Sequence, residues 1–221
     1  MRVSAIIPTL EEDGEIAAAV ASARAAGADE VVVADGGSKD ATVASAQLAG
    51  ADAVLWAPRS RGAQARAGAA SATGAALWFL HADARAPMGA AEAIRSALDG
   101  GEAWGAFRVR HAAEGWAARL ADRRSRHAFL PYGDQGVFCT RQAYDAAGGM
   151  PAQPLMEDLE FALRMLRAHG PPARLALEIR VSARRLRARP VRTALCWWTF
   201  PVLYRFRVSP TSLARWYGVG R

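Results

Sequence analysis

His81 and Asp83 stand two residues apart at the end of the apolar run ALWFL, residues 76–80. A carboxylate offers hard oxygen to a divalent cation. One or two such protein ligands completed by substrate phosphates is the usual way Mg2+ is held, and an imidazole alongside shifts the preference toward Mn2+. The same two residues also suit a plainer role, with His81 bonded to backbone and Asp83 capping the helix after Pro87, and spacing alone does not separate the two. Glu157 and Asp158 open the amphipathic stretch LMEDLEFALRMLRAHG, residues 155–170. A carboxylate there can accept a proton from an attacking hydroxyl, or it can simply complement the positive end of a helix. Three more polar loops carry acids, glycines and arginines: PTLEEDGE (8–15), DGGSKDAT (35–42) and APRSRGAQAR (57–66).

These groups reach one another only if the chain folds in a particular way. Apolar, β-rich runs at residues 3–7, 30–34, 53–56 and 76–80 alternate with Ala-rich helical segments at 15–26, 42–49 and 63–72. Buried strands alternating with helices imply a parallel sheet covered on both faces. Right-handed crossovers then bring every strand's C-terminal end to one edge, the edge at which open α/β sheets bind ligands. All four polar loops follow a strand, so all four converge there. Asp40 is placed to cap the helix that starts near Thr42. Beyond Pro87 the alternation weakens: a helix near 89–98, a strand at 103–111, an Arg-rich helix near 116–126, then the loop, strand and Gly-Gly turn of LPYGDQGVFCTRQAYDAAGGMP (130–151). Asp134 and Gln135 in that stretch either contact a ligand or shape a turn.

Several function classes are disfavoured. No GxGxxG links the first strand to its helix and no GxxxxGK[ST] occurs, against a dinucleotide-dependent dehydrogenase and a P-loop nucleotidase. Cys139 and Cys196 match no metal or redox spacing and read as reduced thiols of a cytoplasmic protein. The N-terminus lacks the pattern of a secretory leader, and no apolar run of spanning length is present. The 221-residue chain carries +7, unevenly: from Glu160 onward thirteen arginines face two acidic residues, a net +11, leaving −4 for the rest. Such a basic tail suits an anionic contact. All but one of the basic residues are Arg, the exception being Lys39. The tail shows neither aromatics interleaved on a sheet nor a reading helix, so no nucleic-acid partner is expected.

Taken together, SAIIPTLEE, EVVVADGGSKDAT, RGAQARAGAASATGAALWFLHADAR and MEDLEFALRM resemble the family-2 glycosyltransferases of the GT-A fold, collinearly from about Val3 to Arg167. The likeness is greatest to a small bacterial branch with HAD in place of DxD, some members of which carry an arsenosugar-biosynthesis label. The resemblance implies a Rossmann-like, mostly parallel central sheet flanked by helices, with a helical C-terminal extension. It divides the chain into a glycosyltransferase domain at 1–185 (nucleotide-binding half 1–87, acceptor half 88–185) and a basic aromatic extension at 186–221. It also implies an inverting, metal-dependent hexosyl transfer from a nucleotide-sugar donor, UDP-type first, to an unknown acceptor, with Mn2+ or Mg2+ as cofactor.

Residue by residue, the resemblance puts Pro8, Thr9 and Glu12 on the nucleoside, with Leu10 and Glu11 where the family has Tyr and Asn. Asp35 and Gly37 fall near the base or ribose, with Gly36 replacing the family's second Asp. Arg61 and Arg66 fall on ribose or phosphate, Asp83 and His81 on the metal, and Asp158, with Glu157, at the general base. The departures at Leu10, Gly36 and His81 keep an alternative in view, a catalytically degenerate nucleotide-binding or regulatory protein on the same fold.

The tail segment RTALCWWTFPVLYRF (192–206) is apolar, aromatic and flanked by arginines. It fits either an anionic membrane interface, with Trp197, Trp198 and Phe200 inserted and Pro201 interrupting one straight helix, or a helix packed on the core or in a homodimer contact. Arg184 or Arg185 could instead close over a donor diphosphate. On the first reading the protein is cytoplasmic and peripheral on the inner face of the membrane.

Overall fold

A computed structural model describes residues 1–113 and 115–218, without the side chains of 117, 185, 186 and 190. The chain runs β1 (Val3–Thr9), α1 (Asp13–Ala25), β2 (Glu30–Asp35), α2 (Thr42–Leu48), β3 (Ala53–Trp56), α3 (Arg61–Ser71) and β4 (Ala76–Phe79), as the alternating pattern requires. It continues through β5 (Ala84–Arg85), α4 (Ala90–Asp99), β6 (Trp104–His111), α5 (Trp116–His127), a 3-10 turn (Gly133–Gln135), β7 (Phe138–Thr140) and α6 (Arg141–Ala146). Last come α7 (Glu157–His169), β8 (Ala173–Val181), α8 (Arg184–Ala188), α9 (Pro190–Arg205) and α10 (Pro210–Tyr217).

One eight-stranded sheet has the order β3-β2-β1-β4-β7-β6-β8-β5. The first four strands are mutually parallel, β7 runs antiparallel to both its neighbours, and β6 pairs parallel with β8. The expectation of a mostly parallel sheet flanked by helices is met. Alternate residues along each strand feed opposite faces. Ile7, Val33 and Trp78 pack with Ile16, Phe107 and Phe138 on one side, while Ile6, Val32 and Leu77 pack with Trp104, Phe161 and Met165 on the other. Both faces are covered, which is why the parallel strands read as unbroken apolar runs.

The HAD segment differs from expectation. It is not a continuation of an extended strand: Ala84 N–H donates to the His81 carbonyl at 3.0 Å, so residues 81–83 form a turn. The chain must change direction there because β5 pairs antiparallel with β8 at the far edge of the sheet. Asp83 and His81 therefore sit on a tight turn beyond β4, at the C-terminal edge. β8 was not legible beforehand. Its buried face alternates over only part of its length, and the prolines before it read as a loop.

The C-terminal helices form a small cluster of their own. Cys196 and Phe200 of α9 and Leu213 and Ala214 of α10 pack with Leu155, just before α7. Contrary to expectation, Pro201 leaves α9 continuous. Proline has no N–H to give to the carbonyl four residues back, that of Trp197. Arg124 Nη1 donates to that carbonyl at 2.9 Å instead, which ties α9 to α5.

Candidate active site

The loops after β1, β3 and β4 meet the segment leading into α7 around a cavity of about 470 Å³, a volume suited to a small-molecule ligand. Pro8, Thr9 and Glu12 line it from β1, Arg61 from the start of α3, His81 and Asp83 from the turn after β4, and Glu157 and Asp158 from the start of α7. Eight of the residues singled out in the sequence are thus brought together. Asp35, Gly37 and Arg66 are not among the lining residues. Asp35 is buried, and its carboxylate accepts from Gly37 N (2.8 Å), Ser38 N (2.9 Å) and Ser38 Oγ (2.5 Å), closing its own turn. Arg66 is exposed on α3. Asp40 is not the cap expected: Ala41 holds the N-cap position of α2 without a side-chain cap, and Asp40, one residue earlier, accepts from Thr42 N at 3.1 Å. The loops after β1 and β2 are bound to each other: Glu11 N donates to Ser38 Oγ, Lys39 N to Glu11 Oε1 and Glu12 N to Thr42 Oγ1.

At the centre, Arg61 Nε lies 3.1 Å from Glu157 Oε1 and its Nη1 lies 3.4 Å from His81 Nε2. The Glu157 carboxylate raises the Arg61 pKa most, helped by Asp158 and opposed by burial. Burial pushes the Glu157 carboxyl up despite Arg61, and the neighbouring Asp158 adds to the push. The Coulomb attraction of the pair dominates at Arg61, whereas loss of water dominates at Glu157. Glu157 Oε2 is buried without a hydrogen-bond partner, an uncompensated acceptor beside the cavity.

Asp158 is held differently. Gly133 N donates to its Oδ2 at 2.8 Å and Leu159 N to its Oδ1 at 2.7 Å. Gly133 itself is wedged between the two key groups: a Cβ there would lie 3.0 Å from His81 Nε2 and 3.2 Å from Asp158 Oδ2. A side chain at 133 would have to push His81 and Asp158 back by a few tenths of an ångström, so glycine is what lets the YGDQG segment approach so closely.

The two candidates in that segment separate cleanly. Gln135 is fully buried, donates from Nε2 to the carbonyls of Phe107 (3.0 Å) and Ser125 (3.1 Å) and accepts from Tyr132 N (3.0 Å), so it shapes the turn. Asp134 lines the cavity. Burial raises its pKa, Arg124 and His111 oppose that, and Asp158 and Asp83 add to it.

The donor set fits a divalent cation. Asp83 and His81 offer oxygen and nitrogen on one turn, and Asp83 and Asp158 both lie within electrostatic reach of Asp134, a concentration of negative charge that a cation would relieve. Among the described residues no group of three or more His, Cys, Asp or Glu could hold a metal ion by itself. Two protein ligands therefore require the remainder from water or from substrate phosphates.

The opposite wall is drawn from segments far apart in the sequence. His111 Nδ1 lies 2.7 Å from Asp122 Oδ1, and its ring centroid is 5.5 Å from that of Trp197. The Arg124 guanidinium sits 4.0 Å over the Tyr132 ring and 5.4 Å from the Trp197 ring. Trp197, Phe200 and Pro201 of α9 complete this wall. At the rim, Arg184 Nη2 donates to both Glu12 oxygens at 3.0 Å, spanning 172 residues of sequence. The Arg185 side chain lies outside the described residues. Arg184, Trp197, Phe200 and Pro201 were singled out in the sequence for other reasons, but only the arrangement of α5, α8 and α9 assembles them with His111, Arg124 and Tyr132.

Comparison with known proteins agrees with this architecture. The family model described as glycosyl transferase family 2 matches residues 4–151. No curated protein sequence matches. Among solved structures, glucosyl-3-phosphoglycerate synthase from Mycobacterium tuberculosis, in complex with Mn2+, UDP-glucose and phosphoglyceric acid, is 20% identical with a TM-score of 0.62, over 80% of this chain and 70% of that one. S. aureus TarS is 15% identical with a TM-score of 0.66, over 82% of this chain and 37% of that one. A mycobacterial protein is 20% identical with a TM-score of 0.61, over 82% of this chain and 65% of that one. At these identities the likeness shows a shared fold, the GT-A fold, and this chain carries a C-terminal helical extension, α8 to α10. The chain spans little more than a third of TarS and just under two thirds of the mycobacterial protein.

Proposed function

From the premise that the chain belongs to glycosyl transferase family 2, we propose that it transfers a sugar from a nucleoside-diphosphate sugar, UDP-type first, to an acceptor hydroxyl with inversion. The observation that carries this reading is the convergence of His81, Asp83, Arg61 and Asp158 on one cavity at the C-terminal edge of the parallel strands. Two solved structures of one neighbour of the same fold, glucosyl-3-phosphoglycerate synthase, contain UDP-glucose with Mn2+ and UDP with Mg2+, which supports the choice of donor and ion.

Each residue then has a task that its surroundings suit. The loop of Pro8, Thr9 and Glu12, braced by the Asp35–Gly37 turn, receives the nucleoside. Arg61, at the mouth of α3, meets the diphosphate, and exposed Arg66 stays outside that contact. Asp83 and His81 would hold Mn2+ or Mg2+, which when bound supplies positive charge to the departing diphosphate. Asp158 takes the proton from the acceptor hydroxyl as it attacks the anomeric carbon. Its two backbone donors keep the carboxylate aimed while leaving acceptor capacity on both oxygens. Glu157 keeps Arg61 in place. The acceptor approaches along the wall of His111, Arg124, Tyr132 and Trp197. The reduced, buried cysteines fit a cytoplasmic setting.

The test is thermal shift with UDP, GDP and dTDP, each with and without Mn2+, followed by donor hydrolysis with the matching nucleotide sugars. A ligand at 100 times its Kd stabilises by about 2.7 kcal/mol, so one nucleotide should raise Tm by several degrees and only with metal. Binding followed by turnover supports the proposal. Binding without turnover of any donor replaces it with the degenerate alternative, and no nucleotide response removes both.

A further inference from the structure

The helix α9 is apolar on two opposite sides. Its inner side is accounted for by Cys196 and Phe200, buried against α10 and Leu155, and by Trp197 at the cavity. At about 100° per residue, Val191, Leu195, Trp198, Val202 and Phe206 fall within roughly an 80° arc on the opposite side. They are 68%, 61%, 53%, 52% and 79% exposed, and Trp216 of α10 adds another exposed aromatic at 56%. Single exposed apolar residues are ordinary, but a continuous stripe along a helix marks a contact surface.

Charge identifies the covering partner. Arg205 flanks the stripe on one side and Arg192 on the other, and Arg189, Arg207 and Arg215 are exposed at its ends. From Ile179 to Arg221 the sequence has ten arginines and no acidic residue. A second copy of this chain would set two such surfaces against each other and bring cation to cation. A sheet of anionic lipid phosphates answers the exposed Arg189, Arg205, Arg207 and Arg215 at once and accepts the apolar stripe between them. Among the described residues no helix is long and apolar enough to cross a membrane, so the helix would lie in the interface rather than span it.

We propose that α9 docks the protein on an anionic bilayer, with Leu195, Trp198, Val202 and Phe206 in the headgroup boundary and the flanking arginines on lipid phosphates. Trp197 and Phe200 take no part, since they face the protein. Because the inner side of the same helix forms a wall of the cavity, docking holds the site within about one helix diameter, ~10 Å, of the lipid. Given the glycosyl-transfer reading, the acceptor is then a hydroxyl borne by the membrane.

Vesicle sedimentation tests this on the full chain, with phosphatidylglycerol–phosphatidylcholine vesicles against phosphatidylcholine alone. The expected result is binding to the anionic vesicles only, weakened in 0.5 M salt in the manner of a screened contact. Each arginine at an anionic surface is worth roughly fivefold in partition, so Arg205→Gln with Arg215→Gln should lower it about 25-fold. Trp198→Ser with Phe206→Ser should lower it at least about tenfold, with Tm and UDP–Mn2+ binding unchanged in both variants. Binding to neither vesicle, equal binding to both, or variants that bind like the parent would overturn the proposal. So would self-association abolished by Trp198→Ser in a protein that ignores vesicles. UDP–Mn2+ binding is measured without lipid, so failure of the transferase reading and failure of docking are told apart.

Discussion

Replacing Asp158 by Asn removes the capacity to take a proton while keeping the shape of the side chain. In the parent both carboxylate oxygens accept backbone N–H bonds, from Gly133 at 2.8 Å and Leu159 at 2.7 Å. The amide of Asn must turn its NH2 toward one of those donors, losing one hydrogen bond to a charged acceptor, about 1.5–3 kcal/mol. That is the expected fall in stability, a few degrees in Tm for a domain of this size. The effect on chemistry is of another order. General-base catalysis contributes roughly 10²–10⁴-fold, about 2.7–5.4 kcal/mol of barrier.

The assay is Mn2+-dependent hydrolysis of the donor identified by thermal shift, with water standing in for the acceptor, together with calorimetric affinity for the nucleotide. Donor affinity should change less than about threefold while kcat falls at least 100-fold. Glu157→Gln is the contrast: it removes the partner of Arg61 and should weaken nucleotide binding together with rate. Equal losses of affinity and rate in Asp158→Asn would refute the general-base assignment and leave Asp158 as an anchor for the Gly133 turn.

Asp83→Ala should abolish the metal-dependent part of nucleotide binding while leaving the melting curve in place, because the residue sits on a solvent-accessible turn; metal-dependent binding equal to the parent would rule the assignment out. Gly62→Ala places a Cβ 2.0 Å from the Pro151 carbonyl oxygen and 3.1 Å from Glu157 Cβ. It should cost about 1–3 kcal/mol in denaturant unfolding and weaken nucleotide binding by spreading Arg61 from Glu157.

Glu30 predicts a pH dependence. Burial pushes its carboxyl up, but hydrogen bonds from Ser4 Oγ and from Thr73 N and Oγ1 outweigh that and hold it below the ordinary 4.5. A carboxyl with a depressed folded-state pKa stabilises above its unfolded value and loses that contribution as pH falls through the folded one. The stability gap between the parent and Glu30→Gln, measured by urea unfolding, should be full at pH 7 and shrink steadily below about pH 4.5; a gap independent of pH would show that the carboxylate form does not matter.

The sequence by itself determined the half of the molecule in which each structural choice is local. The strands from Val3 to Phe79 are uniformly apolar because both faces of a parallel sheet are covered, and their helices follow from periodicity, so the C-terminal edge and the residues on it could be placed in advance. The loops that carry Glu12, Arg61, His81 and Asp83, and the helix start at Glu157 and Asp158, were legible because each adjoins an element end; it was the resemblance to family 2 that singled out those residues within them. The alternation could not say that HAD turns instead of extending, since that depends on β5 finding β8, almost a hundred residues later. Nor could it say that the Asp35 carboxylate closes its own turn and that Arg66 points away, because helix phase and loop hydrogen bonds decide both. The far wall of the cavity was tertiary in origin throughout. His111, Arg124, Tyr132 and Trp197 come from four separate segments, with no spacing in common, and meet because α9 packs across α5 through a carbonyl that Pro201 leaves free for Arg124. The tail's apolar, basic composition was plain in the sequence, but which aromatic faces inward and which outward is a matter of helix rotation. That rotation is set by the burial of Cys196 and Phe200 against α10, and only packing could fix it.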